Sequence, residues 1–102
     1  MTITKLEQNN LITLLLDGWL DTISSPDLGN AVNEIEQASA IILDFDKVEY
    51  ISSSGLRQIV ACYRKAKEMQ AAFSIINAGT EVMSVFQLTG LHKKISISKK
   101  ED

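Results

Sequence analysis

DFDKVEYISSSGL, residues 44–56, places three serines and a glycine between an apolar run and a helical pattern. The apolar run, AIILDF (residues 40–45), is typical of a central strand covered on both faces. The run that follows, LRQIVACYRKAKEMQ (residues 56–70), repeats apolar residues at helical spacing. A loop that opens a helix offers unpaired backbone N–H groups and a partial positive charge, so this turn is suited to hold a bound or covalently attached phosphate.

The remaining chain alternates strand-like and helical patterns. Strands are predicted at residues 2–7, 11–16, 40–45, 72–76 and 95–98. Helices are predicted to begin at serine caps near Ser24 and Ser54 and at a threonine cap at Thr80. Gln8-Asn9-Asn10 is predicted to form the turn between the first two strands, and Gly90 is predicted to end the third helix in the left-handed conformation. The order β-β-α-β-α-β-α-β predicts a hairpin followed by parallel strands with right-handed crossovers. The fold class is therefore α/β, a mixed sheet of about five strands with helices packed on it.

Length and composition describe a single ordinary domain, residues 1–102. The net charge of -3 provides no basic field for nucleic acid or for an anionic membrane. The single cysteine, Cys62, rules out an internal disulfide and is expected to be a small core residue. No signal peptide and no run of ~20 apolar residues is present, so we expect a cytoplasmic protein without direct membrane insertion.

Patterns that carry catalysis or metal binding are missing from the sequence. The single histidine, His92, is distant in sequence from the serines, and no Gly-x-Ser-x-Gly accompanies it. There is no Gly-x-x-x-x-Gly-Lys loop, and one histidine with one cysteine argues against a zinc site. Asp44 and Asp46 close the predicted strand and are either a cation or acid–base pair or ordinary strand-end acids. We therefore expect no enzyme activity, no metal and no cofactor.

The serine segment resembles the signature of STAS domains, and within that family it is most similar to the bacterial anti-sigma-factor antagonists. The match lies in Asp44, Val48, Ile51 and the run Ser53-Ser54-Gly55-Leu56. Gly18, Leu20 and Asp21 match the family's Gly-x-Leu-Asp, and the run LTGL at residues 88–91 is also similar. The resemblance covers nearly the whole chain and implies a STAS-like mixed sheet.

The resemblance implies a phosphorylation switch in transcription regulation. The antagonists accept phosphate on the first serine of Ser-Ser-Gly, which corresponds to Ser53 here. An unphosphorylated antagonist binds an anti-sigma factor, often itself the serine kinase, and is released on phosphorylation. The partner-binding residues implied here, which the predicted topology places at one end of the sheet, are Asp21, Ser52, Ser53, Ser54, Gly55, Leu56 and Arg57. Asp44 and Gly18 are expected to be structural residues near this site, and Ser54 is expected to cap the helix.

Alternatives remain at three points. Ser52 stands where the family carries an aspartate, so Ser54 and Ser52 are alternative phosphate acceptors. STAS domains also serve as accessory subunits of lipid-type ABC transporters, without phosphorylation; these often carry other small residues at the serine pair, so Ser53 and Ser54 favour the antagonist. Trp19 is either a half-covered aromatic residue or a partner contact.

Overall fold

Strands and helices alternate in the computed structural model, which describes residues 1–101. Within that range there are five strands, three α-helices and one short 3-10 turn. The elements are β1 (Thr2–Gln8), β2 (Leu11–Leu20), α1 (Ser25–Asn33), β3 (Ala40–Ile51), α2 (Ser53–Glu68), β4 (Ala72–Ala78), α3 (Thr80–Thr89), the 3-10 turn (Leu91–Lys93) and β5 (Ser96–Lys99). This order confirms the predicted α/β fold and its mixed sheet.

The sheet has the strand order β1-β2-β3-β4-β5. β1 and β2 pair antiparallel, and every other neighbouring pair is parallel, as the predicted hairpin and crossovers require. The hairpin turn consists of Asn9 and Asn10, with φ values of 52° and 65°. Asparagine tolerates this left-handed conformation, which matches the twist of the flanking strands.

The helices in residues 1–101 cover one face of the sheet. Phe45 of β3 packs on Phe86 of α3, with ring centroids 5.8 Å apart, and Phe73 of β4 packs on Tyr63 of α2 at 6.1 Å. Ile41 pairs with Phe73 and lies four residues before Phe45, so both aromatic contacts lie on the same face. α1 contacts α2 on that side. The core therefore fills a single layer between sheet and helices.

Within residues 1–101 the opposite face of the sheet carries no helix, so the prediction that residues 40–45 are covered on both faces was wrong. Ile41, Leu43 and Phe45 are fully buried, whereas Ile42 and Asp44 between them are half-buried. This difference in burial between the two faces is not visible in the sequence, because the helix-free face also carries apolar side chains. The alternation of apolar and polar residues that is typical of a strand covered on one face is therefore absent.

β2 and β3 are longer than predicted. They continue to Leu20 and Ile51, so Asp44 and Asp46 do not close β3. Two register shifts interrupt their pairing, between Leu15 and Asp17 and between Gly18 and Trp19. Gly18 has a φ of 122°, which side-chain-bearing residues rarely adopt. These irregularities break the period-2 pattern beyond residue 45. Because the two strands are parallel and Leu20 pairs with Ile51, both strands end at the same edge of the sheet.

The helix ends agree only in part with the predicted caps. Gly90 ends α3 in the left-handed conformation, with a φ of 76°. The residue before α3 is Gly79, so Thr80 is the first helical residue and not the cap. Ser24 precedes α1, but its hydroxyl makes no capping hydrogen bond to the helix.

Cys62 lies on the buried side of α2, as expected of a small core residue. Burial raises the pKa of its thiol to about 11, which keeps the group neutral at physiological pH. None of the helices in the described part of the chain is long and apolar enough to cross a membrane.

Candidate functional site

The three serines lie where β3 ends and α2 begins. The Ser52 N–H donates to the Leu20 carbonyl at 3.0 Å, which ties the start of α2 to the end of β2. Ser52 has an extended backbone, and its hydroxyl accepts from the Gly55 N–H at 3.2 Å. Ser52 is therefore the helix cap, and the prediction of Ser54 in that role was wrong.

Gly55 allows the close approach of α2 to β2. A Cβ atom at this position would lie 2.6 Å from the Leu20 carbonyl oxygen and 2.9 Å from the Ile51 Cγ1 atom. Both distances are shorter than real Cβ contacts, and the first is to a backbone atom that no side-chain rotation can move. The glycine of the serine motif is thus required by packing.

The other two serines differ in what their hydroxyls contact. Ser54 is half-buried, and its Oγ lies 3.0 Å from Thr22 Oγ1. Ser53 is exposed, and its hydroxyl makes no hydrogen bond within residues 1–101. Because Ser52 serves as the cap and Ser54 contacts Thr22, Ser53 has the most accessible hydroxyl of the three.

The surroundings of Ser53 favour negative charge. Ser53 and Ser54 occupy the first two positions of α2, where backbone N–H groups have no partner within the helix. The helix dipole adds a partial positive charge at the same end. Arg57 is exposed and lies four residues after Ser53, which is one helical turn. An anionic group on the Ser53 oxygen would therefore meet N–H donors and a cation.

Asp21 holds together the turn that leads from β2 into α1. Its Oδ1 atom accepts from the backbone N–H groups of Ile23 at 3.1 Å and Ser24 at 3.0 Å, and from the Ser24 hydroxyl at 3.1 Å. These hydrogen bonds, above all that from the Ser24 N–H, lower the pKa of the Asp21 carboxyl below its usual value of 3.8. This turn is tied to the serine turn through the contact of Thr22 with Ser54.

We expect Asp21→Ala to loosen this turn, because the substitution leaves the Ile23 and Ser24 N–H groups without their acceptor. Amide hydrogen exchange at both residues should become faster, whereas Asp21→Asn, which retains an acceptor oxygen, should preserve most of the protection. Because the folded pKa is lowered, the contribution of the carboxylate is present above pH 3.8 and is lost as the pH falls through the folded pKa. Unchanged exchange in Asp21→Ala would contradict this assignment.

An exposed aromatic pair borders the two turns. Trp19 is 56% exposed and Tyr50 47% exposed, and their ring centroids are 5.3 Å apart. The Trp19 Nε1 atom donates to Glu49 Oε2 at 3.4 Å. Ile23, in the Asp21 turn, is 89% exposed. Trp19 is thus half-covered by its neighbour, and the rest of its side chain is exposed. Tyr50 and Ile23 were not predicted, because their exposure depends on the folded arrangement of β2, β3 and the Asp21 turn.

Asp44 was expected to lie near the serine turn, and the structure places it elsewhere. It precedes Ile51 by seven residues along β3, a separation of roughly 20 Å. Its Oδ1 atom accepts from the Asp46 N–H at 2.9 Å and from Asn77 Nδ2 at 3.1 Å, so its contacts are structural. His92 lies beyond α3, where its Nδ1 atom is 3.3 Å from the Phe86 carbonyl oxygen. Gly18, by contrast, lies in the bulge of β2 close to Asp21.

Two of the curated relatives that match most of the chain are anti-sigma-factor antagonists by name. The anti-sigma-F factor antagonist RsfB of Mycobacterium tuberculosis is 26% identical over 95 residues, which cover 91% of this chain and 77% of that protein. The anti-sigma-B factor antagonist of Bacillus subtilis is 26% identical over 97 residues, which cover 94% of this chain and 89% of that protein.

A solved structure and the family model point in the same direction as these relatives. The crystal structure of an anti-sigma factor antagonist from Mycobacterium paratuberculosis matches with a TM-score of 0.85 at 23% identity, over 95% of this chain and 84% of that one. The STAS domain family matches residues 2–102, which include the strands, the helices and the serine turn. The resemblance noted in the sequence is thereby confirmed, and the chain belongs to the STAS domain family.

Proposed function

We propose that this protein is a cytoplasmic anti-sigma-factor antagonist that acts by partner switching. In its unmodified form it binds an anti-sigma factor with serine-kinase activity, and it is released when that kinase phosphorylates Ser53. The names of both curated relatives support the antagonist role. The protein acts as a binding module and as a substrate of its partner, not as an enzyme.

The observation that carries the proposal is the exposed hydroxyl of Ser53 at the start of α2, which makes no hydrogen bond within residues 1–101. A kinase needs a hydroxyl that can reach a nucleotide held by another protein, and Ser53 meets this need without any rearrangement of the turn. Phosphorylation of Ser52 would disrupt the cap to Gly55, and phosphorylation of Ser54 would break its contact with Thr22. Phosphorylation of either alternative serine would therefore disrupt a local contact, whereas phosphorylation of Ser53 would not.

The switch would be electrostatic and steric. A phosphate adds about -1.5 to -2 charges and three acceptor oxygens to Ser53. The free N–H groups of the first turn and Arg57 can hold it without refolding. The partner would then face a dianion where it had met a neutral hydroxyl, and a surface fitted to the neutral form would be repelled.

The proposed docking surface joins the serine turn to the Asp21 turn. It contains the predicted residues Asp21, Ser52, Ser53, Ser54, Gly55, Leu56 and Arg57. Gly55 is buried and contributes through its packing, whereas Ser53 and Arg57 are exposed. Trp19 extends the surface on the β2 side, where an exposed tryptophan is suited to be a binding hot spot.

The test is a pull-down from native lysate with the tagged protein, in parallel with Ser53→Asp. Mass spectrometry should identify a kinase-like anti-sigma factor that binds the wild-type protein and is lost with the variant. Trypsin cleavage after Lys47 and Arg57 isolates the peptide VEYISSSGLR, in which we expect phosphate on Ser53. Equal recovery of a transporter ATPase by both proteins, or phosphate found reproducibly on Ser52 or Ser54 alone, would contradict the proposal.

A further inference from the structure

A groove of about 500 Å³ lies between α2 and the segment that follows α3. We call it the α2–α3 groove. Its apolar lining includes Leu56 and Val60 of α2, which are half-buried, and Leu91, which is buried. Arg57, Arg64 and Lys94 also line it, and all three are exposed. The groove thus combines an apolar base with three cationic side chains.

The charge of the groove is opposite to that of the protein. The chain carries a net charge of -3, yet none of the acidic side chains in the described part of the chain lines the groove. Within residues 1–101 the ion pairs are Lys5 with Glu7 and Lys100 with Asp46, so Arg57, Arg64 and Lys94 belong to neither. Three unpaired cations beside apolar surface are complementary to a ligand that is both anionic and apolar.

The spacing of the cations favours a peptide over a small anion. Arg57 and Arg64 are seven residues apart on α2, which separates them by two turns or about 10 Å. A single phosphate that contacted both side chains would leave the apolar surface of Leu56 and Val60 uncovered. An amphipathic helix with carboxylates two turns apart can contact both, while its apolar side chains cover Leu56 and Val60.

We infer that the α2–α3 groove binds an acidic amphipathic helix of the protein partner. The chemistry of this ligand follows from the groove, and only the identity of the partner rests on the proposed function. Leu56 and Arg57 belong both to the groove and to the proposed docking surface, so one partner would extend from the serine turn along α2. The acidic helix would then be a second point of attachment beside the switch.

The experiment is a nuclear magnetic resonance titration of the full ¹⁵N-labelled chain with a synthetic helical peptide. The peptide has about four turns, leucines along one face and glutamates two turns apart beside them. We expect shifts at the amides of residues 56–64 and 89–94. Arg64→Gln and Lys94→Gln should each weaken binding by about two- to five-fold. Lys93→Gln is the matched control, since Lys93 is exposed, adjacent to Lys94 and outside the groove lining.

Three outcomes would overturn the inference. They are the absence of shifts in the groove at millimolar peptide, equal binding of a peptide with lysine in place of glutamate, and tighter binding of pyrophosphate than of the acidic peptide. The titration requires neither a kinase nor a modified serine. Its failure is therefore distinguishable from failure of the Ser53 switch, which the pull-down and the phosphate mapping measure.

Discussion

Ser53→Asp is expected to lower the affinity for the anti-sigma factor by about 100-fold, or ~3 kcal/mol, because it places a negative charge where the partner meets a neutral hydroxyl. The fold should survive the change. An aspartate in the first turn of α2 lies at the positive end of the helix dipole, which stabilises the helix by about 0.3–1 kcal/mol. Binding and stability should therefore change independently, as isothermal titration calorimetry and thermal unfolding would show.

Two control variants distinguish the effect of the added negative charge on partner affinity from the effect of losing the Ser53 hydroxyl. Ser53→Ala should retain binding, because the docking patch stays neutral, and it should abolish phosphorylation. Gln37→Asp introduces the same charge at an exposed position before β3, at the opposite end of the strand, and should leave affinity unchanged. The switch mechanism would be wrong if Ser53→Asp bound the partner as tightly as Ser53→Ala.

Gly55→Ala is expected to lower the free energy of unfolding by about 2–3 kcal/mol. The added Cβ would lie 2.6 Å from the Leu20 carbonyl oxygen, so α2 must move away from the end of β2. This movement would strain the hydrogen bond from the Ser52 N–H to Leu20 and displace Ser53 with the helix. We therefore expect weaker partner binding as well, measured on the folded fraction of the variant.

Gly29→Ala provides the matched control. Gly29 lies within α1, and its added Cβ would meet the end of the Gln58 side chain at 2.7 Å, which can rotate away. Alanine also favours a helix over glycine by up to about 1 kcal/mol, so the net change should be small or stabilising. Chemical denaturation of both variants tests the contrast. Similar losses at the two positions would show that the contact with Leu20 is not the cause.

Local patterns predicted the elements of this fold well. The helical spacing of Ile59 and Ala66, the Gly90 end of α3 and the asparagine turn at residues 9–10 each depend on neighbours in the chain. The parallel pairing of β2 to β5 followed from the alternation of strands and helices. The meeting of the Asp21 turn with the serine turn also followed, because parallel strands end at the same edge of a sheet.

Features that depend on distant contacts were not predictable from local patterns. Three consecutive serines are equivalent as caps in the sequence, and the hydrogen bond between Ser52 and Leu20 selects one of them. β2 and β3 continue past the bulge at Gly18, and the apolar residues there do not alternate regularly. Asp44 matched a motif of the family, but the extended strand separates it from the turn with which it shares that motif.

The strand order of the sheet has a consequence for how the chain can fold during its synthesis. Since the order β1-β2-β3-β4-β5 is also the order in the chain, every strand pairs only with the strands before and after it. A ribosome releases the strands in that order, and each one can add to the edge left by its predecessor. No strand has to wait for a distant partner or insert between two strands that have already paired.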